Sequence, residues 1–148
     1  MKKIFFILLL STLGTLVFGQ EITLKSGTEA TYRLSKGADE KIVLSLIDTM
    51  TINQPIDLSN NLLKDKVDTN QIKIILIKGK MGNDPQTFLM IKTGKPGLIK
   101  YSAKIKQAGR SRFVDTDVNM IIGNVKTLEM WPYEISDIIL FDFSEGQF

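Results

Sequence analysis

The feature that most constrains the fold of this chain is a strict alternation of apolar and polar side chains. It is clearest in the run LIKYSAKIK, where Ile99, Tyr101, Ala103 and Ile105 alternate with lysine or serine. A period of two places these four side chains on one face of a β-strand, because successive side chains in a strand point to opposite sides. The run therefore predicts a strand with one buried face and one face in water.

Comparable runs, bounded by turns that contain glycine, proline or asparagine, occupy most of the chain. They are EITLK, EATYRLS, KIVLSLID, QIKIILIKGK, TFLMIK, FVDTDV, TLEMW and ISDIILFDF. In KIVLSLID both alternating sets contain apolar residues, which predicts a strand that is buried on both faces. The turn TGKPG, between TFLMIK and LIKYSAKIK, is short enough for a β-hairpin. The glycines and the Asp-Pro pair of GKMGNDPQ predict a loop.

About eight short strands without intervening helices argue against a parallel sheet, which requires helical crossovers. We therefore predict an all-β fold, an antiparallel β-sandwich of the immunoglobulin-like, Greek-key or jelly-roll type, with a closed β-barrel as the alternative. At most one short helix is expected, in residues 57–68. Asp57 or Ser59 would cap it, and the leucine pair at 62 and 63 would turn inward with Val67. A long ordered loop is the alternative for residues 49–70.

The first twenty residues have the layout of a secretory signal peptide. Lys2 and Lys3 precede the unbroken apolar run Ile4–Leu10, and Val17 and Gly19 are small residues at the −3 and −1 positions of a cleavage site. The stretch 4–19 has 16 residues, whereas a membrane-spanning helix needs about 20. No cysteine follows it to carry a lipid anchor.

We therefore expect residues 1–19 to be removed as a signal peptide and the mature chain to begin at Gln20. Residues 20–148 are expected to form a single β-sandwich domain without a membrane span. The expected location is the periplasm or the outside of the cell.

Two missing residue types exclude several kinds of chemistry. The chain contains no cysteine and no histidine. Disulfides, zinc sites built on thiolate or imidazole, and Ser-His or Cys-His nucleophiles are therefore impossible. Acid–base catalysis would depend on a pair of carboxylates about 5–10 Å apart, as in a glycan hydrolase. The candidates for such a pair are Asp115, Asp117, Glu129 and Glu134.

The segment DTDVN places Asp115, Asp117 and Asn119 at alternate positions, as oxygen ligands are placed in a calcium loop. The match fails further along the chain. Met120 stands where that loop needs glycine, and Lys126 stands where it needs glutamate. We therefore expect neither a metal nor another cofactor.

Charge is unevenly distributed, although the total is small. Without Lys2 and Lys3, 17 basic residues face 16 acidic ones, so the basic surplus typical of nucleic-acid binders is missing. Residues 71–112 carry ten basic groups and one acid, whereas residues 113–148 carry seven acids and one base. We expect the two segments to form neighbouring strands whose charges pair. A basic patch that faces an anionic partner is the alternative.

The single tryptophan lies in the sequence Trp-Pro-Tyr at 131–133. Pro132 has no backbone N–H and must therefore lie at a strand end, an edge or a bulge. We predict that Trp131 is a mostly buried plug at an end of the sandwich, with Tyr133 nearer the surface. In the alternative, Trp131 and Tyr133 form an exposed ligand-binding surface.

These patterns favour an exported, non-catalytic binding or interaction module of the bacterial envelope. Its partner would be a protein or a glycan, and its candidate ligand-binding residues are Trp131 and Tyr133. The alternative is a histidine-free carboxylate enzyme such as a glycan hydrolase.

Overall fold

The computed structural model describes residues 20–53, 55, 63 and 66–147. The described residues form these strands: β1 (Ile22–Lys25), β2 (Thr28–Lys36), β3 (Ile42–Thr51), β4 (Gln71–Met81), β5 (Asp84–Thr93), β6 (Leu98–Gln107), β7 (Val114–Thr116), β8 (Ile121–Ile122), β9 (Thr127–Trp131) and β10 (Ile135–Gly146). No helix that could cross a membrane is found in these ranges. The predicted signal peptide lies outside them.

The strands form two antiparallel sheets of five strands each. In the first sheet the order is β1-β10-β6-β7, with β8 also paired to β6. In the second sheet the order is β3-β2-β4-β5-β9. Neither sheet closes into a barrel, so the predicted β-sandwich is confirmed and the barrel alternative is wrong.

One apolar core fills the space between the two sheets. The four alternating residues of β6 are all buried, as predicted: Ile99, Tyr101, Ala103 and Ile105. From the second sheet, β4 contributes Ile72, Ile74 and Leu76, none of which has exposed surface. Both sheets thus contribute side chains to the same cluster, as expected of two facing sheets that exclude water from between them.

A second, smaller apolar cluster covers the outer face of the second sheet. It consists of Ile75, Ile77, Phe88 and Met90, with Ile52 and Leu63 packed against it. The Lys92 ammonium also donates to the Leu63 carbonyl oxygen at 3.0 Å. This outer cluster explains why β4 and β5 are continuous apolar runs. Most of the possible helix at 57–68 lies outside the described residues, and that prediction is not tested.

The prediction that the KIVLSLID strand is buried on both faces is wrong. This segment begins β3, an edge strand that pairs only with β2. Val43, Leu46 and Ile47 are 39%, 59% and 45% exposed. A register shift leaves Ile47 without a partner, since Tyr32 is opposite Leu46 and the preceding residue of β2 is opposite Asp48. No second neighbour of β3 is found among the described residues, and a position at the sheet edge cannot be read from the strand's own sequence.

Gln20 covers part of the open edge of β3. Its side-chain oxygen accepts the Leu44 N–H at 2.6 Å, and its side-chain nitrogen donates to the Leu44 carbonyl oxygen. The amide of Gln20 thus takes the place that a peptide group of a neighbouring strand would occupy.

The hairpin predicted at TGKPG is also wrong. β5 belongs to the second sheet and β6 to the first, so residues 94–97 cross between the sheets. Four residues suffice for either connection, and the close approach at Gly94 favours the crossing. A Cβ atom at Gly94 would lie 2.2 Å from the Val67 carbonyl oxygen, so only glycine lets the two backbones approach this closely.

The loop predicted at GKMGNDPQ is shorter than expected. β4 continues to Met81 and β5 begins at Asp84, which leaves a turn of Gly82 and Asn83. Gly82 has a φ of 65°, as in the tight turns that match the twist of paired strands. This turn replaces most of the loop with a hairpin.

Candidate functional site at the arginine end

Two connections meet at one end of the sandwich, which we call the arginine end. They are the turn 108–113 between β6 and β7, and the corner 132–134 between β9 and β10. The Ala108 N–H donates to the Glu134 carbonyl oxygen at 3.0 Å, and Gln107 lies opposite Ile135 in the sheet. The Trp-Pro-Tyr sequence is therefore next to the turn that contains Arg110 and Arg112.

Trp131 is 7% exposed and belongs to the core, so the prediction of a buried plug is confirmed. Its indole Nε1 donates to the Thr116 hydroxyl oxygen at 3.1 Å. Since Trp131 ends β9 in one sheet and Thr116 ends β7 in the other, the indole joins the two sheets at their margin. Strand β7 leads directly from the arginine turn, so Trp131 also helps to fix that turn.

The corner after Trp131 is held by a buried hydroxyl. Thr87 has no exposed surface. Its hydroxyl donates to the Tyr133 carbonyl oxygen at 2.9 Å and accepts the Ile135 N–H at 2.9 Å. Pro132 follows the last residue of β9, at a strand end as predicted. The Tyr133 side chain is half-buried against the core, nearer the surface than Trp131, and a ligand-binding role for the two aromatic residues stays a prediction.

A cavity of about 360 Å³ opens on the arginine turn. It is lined by Gln107, Arg110, Ser111, Arg112 and Val114. Arg110 and Arg112 are exposed, and neither guanidinium group has a hydrogen bond or ion pair with any residue that the structure describes. Two strong cationic donors are therefore available on one wall of a concave surface.

Most of the neighbouring charges are paired. Three of the four ion pairs among the described residues join the basic segment 71–112 to the acidic segment 113–148: Lys78–Glu134 at 2.9 Å, Lys95–Glu145 at 2.9 Å and Lys106–Asp137 at 2.7 Å. The predicted pairing across neighbouring strands is confirmed for Lys106 and Asp137, which are opposite each other in β6 and β10, whereas the other two pairs involve connections. Like Lys80, Lys100 and Lys104 of the same segment, Arg110 and Arg112 have no ion pair among the described residues.

Asp137 shows how its surroundings stabilise one of these pairs. Partial burial opposes ionisation of its carboxyl group. Hydrogen bonds from Lys106 and Ser136, together with the charges of Lys106 and Lys25, outweigh burial and lower the pKa of Asp137. The Asp137 carboxylate thus makes its contacts within the first sheet.

Two of the four candidate catalytic carboxylates have partners of their own. Glu129 accepts the backbone N–H of Asn119 at 2.6 Å and its side-chain amide at 3.2 Å. Glu134 accepts the Lys78 ammonium at 2.9 Å. Asp115 lies opposite Lys104 in the pairing of β7 with β6. Glu129 and Glu134 thus hold connecting segments in place.

Glu129 also lies near a buried phenol. Burial, and secondarily the charge of Glu129, raise the pKa of Tyr101. The Tyr101 hydroxyl has no hydrogen-bond partner among the described residues, and its ring stacks on Phe143 with the centroids 5.8 Å apart. Within those residues no group of three or more acidic side chains could hold a metal ion.

The opposite end of the sandwich carries a different cavity, of about 230 Å³, beside the crossing 94–97. Lys95 and Glu145 both line it and pair with each other at 2.9 Å. The hydrogen bond from Lys95 and its charge lower the pKa of Glu145. Lys36 also lines this cavity and its charge acts on Glu145, so the wall holds one carboxylate near two ammonium groups.

No family model matches the chain, and no curated protein or solved structure shows significant similarity to it.

The cavity was not predicted from the sequence. The sequence identifies Arg110 and Arg112 only as members of the basic segment 71–112. One signal was present: two of the three arginines of the chain lie two positions apart in QAGRSRFV, and the third is Arg33.

Proposed function

We propose that this chain is an exported, non-catalytic binding module of the bacterial envelope, and that it holds its partner at the arginine end. The observation that carries the proposal is the open cavity with two guanidinium groups that have no partner among the described residues. Concave sites with a few convergent polar groups are the usual places for ligands. The half-buried Tyr133 lies on the adjacent corner and offers part of an aromatic surface.

The rigidity of this end supports the same function. Thr87 holds the corner through two hydrogen bonds, and Trp131 joins β9 to β7 through Thr116. A surface that is already ordered loses less conformational entropy when a partner binds. Binding therefore requires little rearrangement of the arginine turn.

Export is supported by the signal-like pattern of residues 1–19. We expect the exported protein to begin at Gln20, in the periplasm or outside the cell. The intact mass of protein recovered from the periplasm and the medium tests this expectation. A product that retains residues 1–19 would contradict it.

The alternative function, a carboxylate enzyme, is tested in parallel with binding. The mature domain is incubated with a panel of envelope and extracellular glycans, and both retention and release of reducing ends are measured. Retention without product supports the binding module. Turnover that is lost in Asp115→Asn, Asp117→Asn, Glu129→Gln or Glu134→Gln, with the fold intact, would support the enzyme instead. A pull-down from envelope extract extends the binding assay to protein partners.

A further inference from the structure

We infer that the cavity at the arginine end binds an anionic glycan, with Arg110 and Arg112 holding a carboxylate or sulfate group of the sugar chain. This inference rests on the proposed function, because it names the ligand class of the same site.

The two guanidinium groups have a geometry suited to an anion and are free to bind one. A guanidinium group presents a planar fork of N–H donors, which matches the paired oxygens of a carboxylate or sulfate better than an ammonium group does. Arg110 and Arg112 both line the cavity, and neither is engaged by another described residue. Their donors therefore need no internal contact to be broken before a ligand binds.

The acids nearest to this turn do not cancel that charge. Glu134, whose backbone carbonyl accepts the Ala108 N–H, is paired through its side chain with Lys78. Asp137, two residues from the start of β10, is paired with Lys106. Asp115, which follows Val114 in β7, is exposed and lies opposite Lys104 in β6. Arg110, Arg112 and Lys104 outnumber this one carboxylate, so the balance of charge around the cavity is positive, which favours the approach of an anion.

The neutral lining favours a sugar as the carrier of the anionic group. Ser111 and Gln107 contribute a hydroxyl and an amide, which can exchange hydrogen bonds with sugar hydroxyls. Val114 is 53% exposed and contributes apolar surface for the C–H face of a sugar ring. A volume of about 360 Å³ lies in the lower part of the range for small-ligand sites, so a single acidic sugar with its neighbour is the expected occupant.

An acidic peptide is the competing ligand, and the structure favours it less. Extended peptides commonly add to a sheet edge through backbone hydrogen bonds. The edge strand at this site, β7, has only three residues, and the cavity wall before it is a turn. The site thus offers side-chain donors but little strand edge.

The test measures binding of the mature domain by isothermal titration calorimetry. The probes are polygalacturonate, which carries carboxylates, dextran sulfate, which carries sulfates, neutral dextran, and poly-glutamate. The variants are Arg110→Ala/Arg112→Ala, the charge-conserving Arg110→Lys/Arg112→Lys, and Arg33→Ala as the matched control. Arg33 is exposed on β2. Circular dichroism and tryptophan emission check that each variant is folded.

We expect binding to one or both anionic glycans and none to neutral dextran. The double alanine variant should lose affinity about tenfold or more, equivalent to at least roughly 1.4 kcal/mol. The double lysine variant should fall between it and the unchanged protein, because lysine keeps the charge and loses the fork. Arg33→Ala should change affinity less than about twofold, and higher salt should weaken binding. Comparison of the carboxylate and sulfate probes identifies the anionic group.

The inference is overturned if neutral dextran binds as well as the anionic glycans, if poly-glutamate binds as tightly as they do, or if Arg33→Ala matches the double alanine variant. It is also overturned if none of the probes binds. The proposed function is decided separately, by the envelope pull-down and by the absence of turnover, so a protein partner captured there leaves the binding module standing while this ligand class fails.

Discussion

The two ends of the sandwich have similar backbone anchors but different charged side chains. At each end a fully buried threonine of β5 holds a neighbouring connection through its hydroxyl. Thr87 binds the corner after β9, and Thr93 donates to the Gln71 carbonyl oxygen at 2.9 Å while accepting the Lys95 N–H at 3.1 Å. Each end also carries a cavity, of about 360 Å³ and 230 Å³ respectively.

The difference lies in what the charged side chains do. At the opposite end Lys95 is paired with Glu145, whereas at the arginine end Arg110 and Arg112 have no partner among the described residues. Similar frameworks therefore support one cavity that contains an ion pair beside the exposed Lys36 and another whose only charged lining residues are two arginines. The presence of a carboxylate at one end and of two guanidinium groups at the other distinguishes the two cavities.

The largest expected effect is at the plug of the arginine end. Trp131→Ala should lower the free energy of unfolding by about 3–5 kcal/mol, because a large buried ring is replaced by a cavity. Trp131→Phe should cost less and mainly remove the bond to Thr116. Urea unfolding followed by circular dichroism measures both. The wild-type indole should emit at short wavelength and resist acrylamide, and red-shifted, easily quenched emission would place Trp131 at the surface.

The next effect compares the two threonine anchors directly. Valine has nearly the shape of threonine and lacks the hydroxyl. Thr87→Val removes the hydroxyl bonded to the Tyr133 carbonyl and the Ile135 N–H, whereas after Thr93→Val the Gln71 carbonyl still accepts the Gly94 N–H at 3.2 Å. Thr87→Val should cost about 1–3 kcal/mol. Thr93→Val should cost less, because its hydrogen bonds are only partly buried. Equal losses in urea unfolding would show that the two ends are equally dependent on their anchors.

A smaller effect should appear at acid pH. The folded state lowers the pKa of Asp137 below the unfolded value near 3.9. Its pair with Lys106 therefore contributes stability above about pH 4 and loses it as the pH falls through the lower folded pKa. Asp137→Asn should reduce the pH dependence of the melting temperature in this window. Glu145→Gln, which affects an exposed pair at the opposite end, should reduce it less, and the reverse order would contradict the assignment.

The smallest expected effect concerns the arginines themselves. Because Arg110 and Arg112 are exposed and have no partner in the part of the chain that the structure describes, replacing both with alanine should change the free energy of unfolding by less than about 0.5 kcal/mol. Urea unfolding beside Arg33→Ala provides the reference. A large loss of stability would mean that the arginines hold the turn together, and the contrast between the two ends would disappear.

Local pattern was sufficient for much of the fold. The alternation in β6 predicted its buried face, and Pro132 predicted the strand end at Trp131. The burial of Trp131 follows from the phase of β9, in which Leu128 and Met130 are exposed and Trp131 faces inward. These features depend on residues that are close in sequence, so the period of the pattern and the chemistry of proline determine them.

The errors concern which strands become neighbours. KIVLSLID has the composition of a central strand, yet its position at the sheet edge depends on β2 and on the absence of a second partner. The four residues after β5 fit a hairpin or a crossing equally well, and the close approach of Gly94 to Val67 decides between them. The cavity was missed for the same reason, because it exists only where the turn after β6 meets the corner after β9.

Gln20 covers part of the exposed edge of β3. Its amide occupies both backbone hydrogen-bonding groups of Leu44, on an edge strand whose exposed apolar residues are Val43, Leu46, Ile47 and Met50. An open edge of this composition is a template for strand addition by a second molecule. A chain trimmed to begin at Glu21 would expose Leu44 and should self-associate in proportion to its concentration. Under the proposed cleavage before Gln20, a cut one residue later would remove the group that blocks the edge.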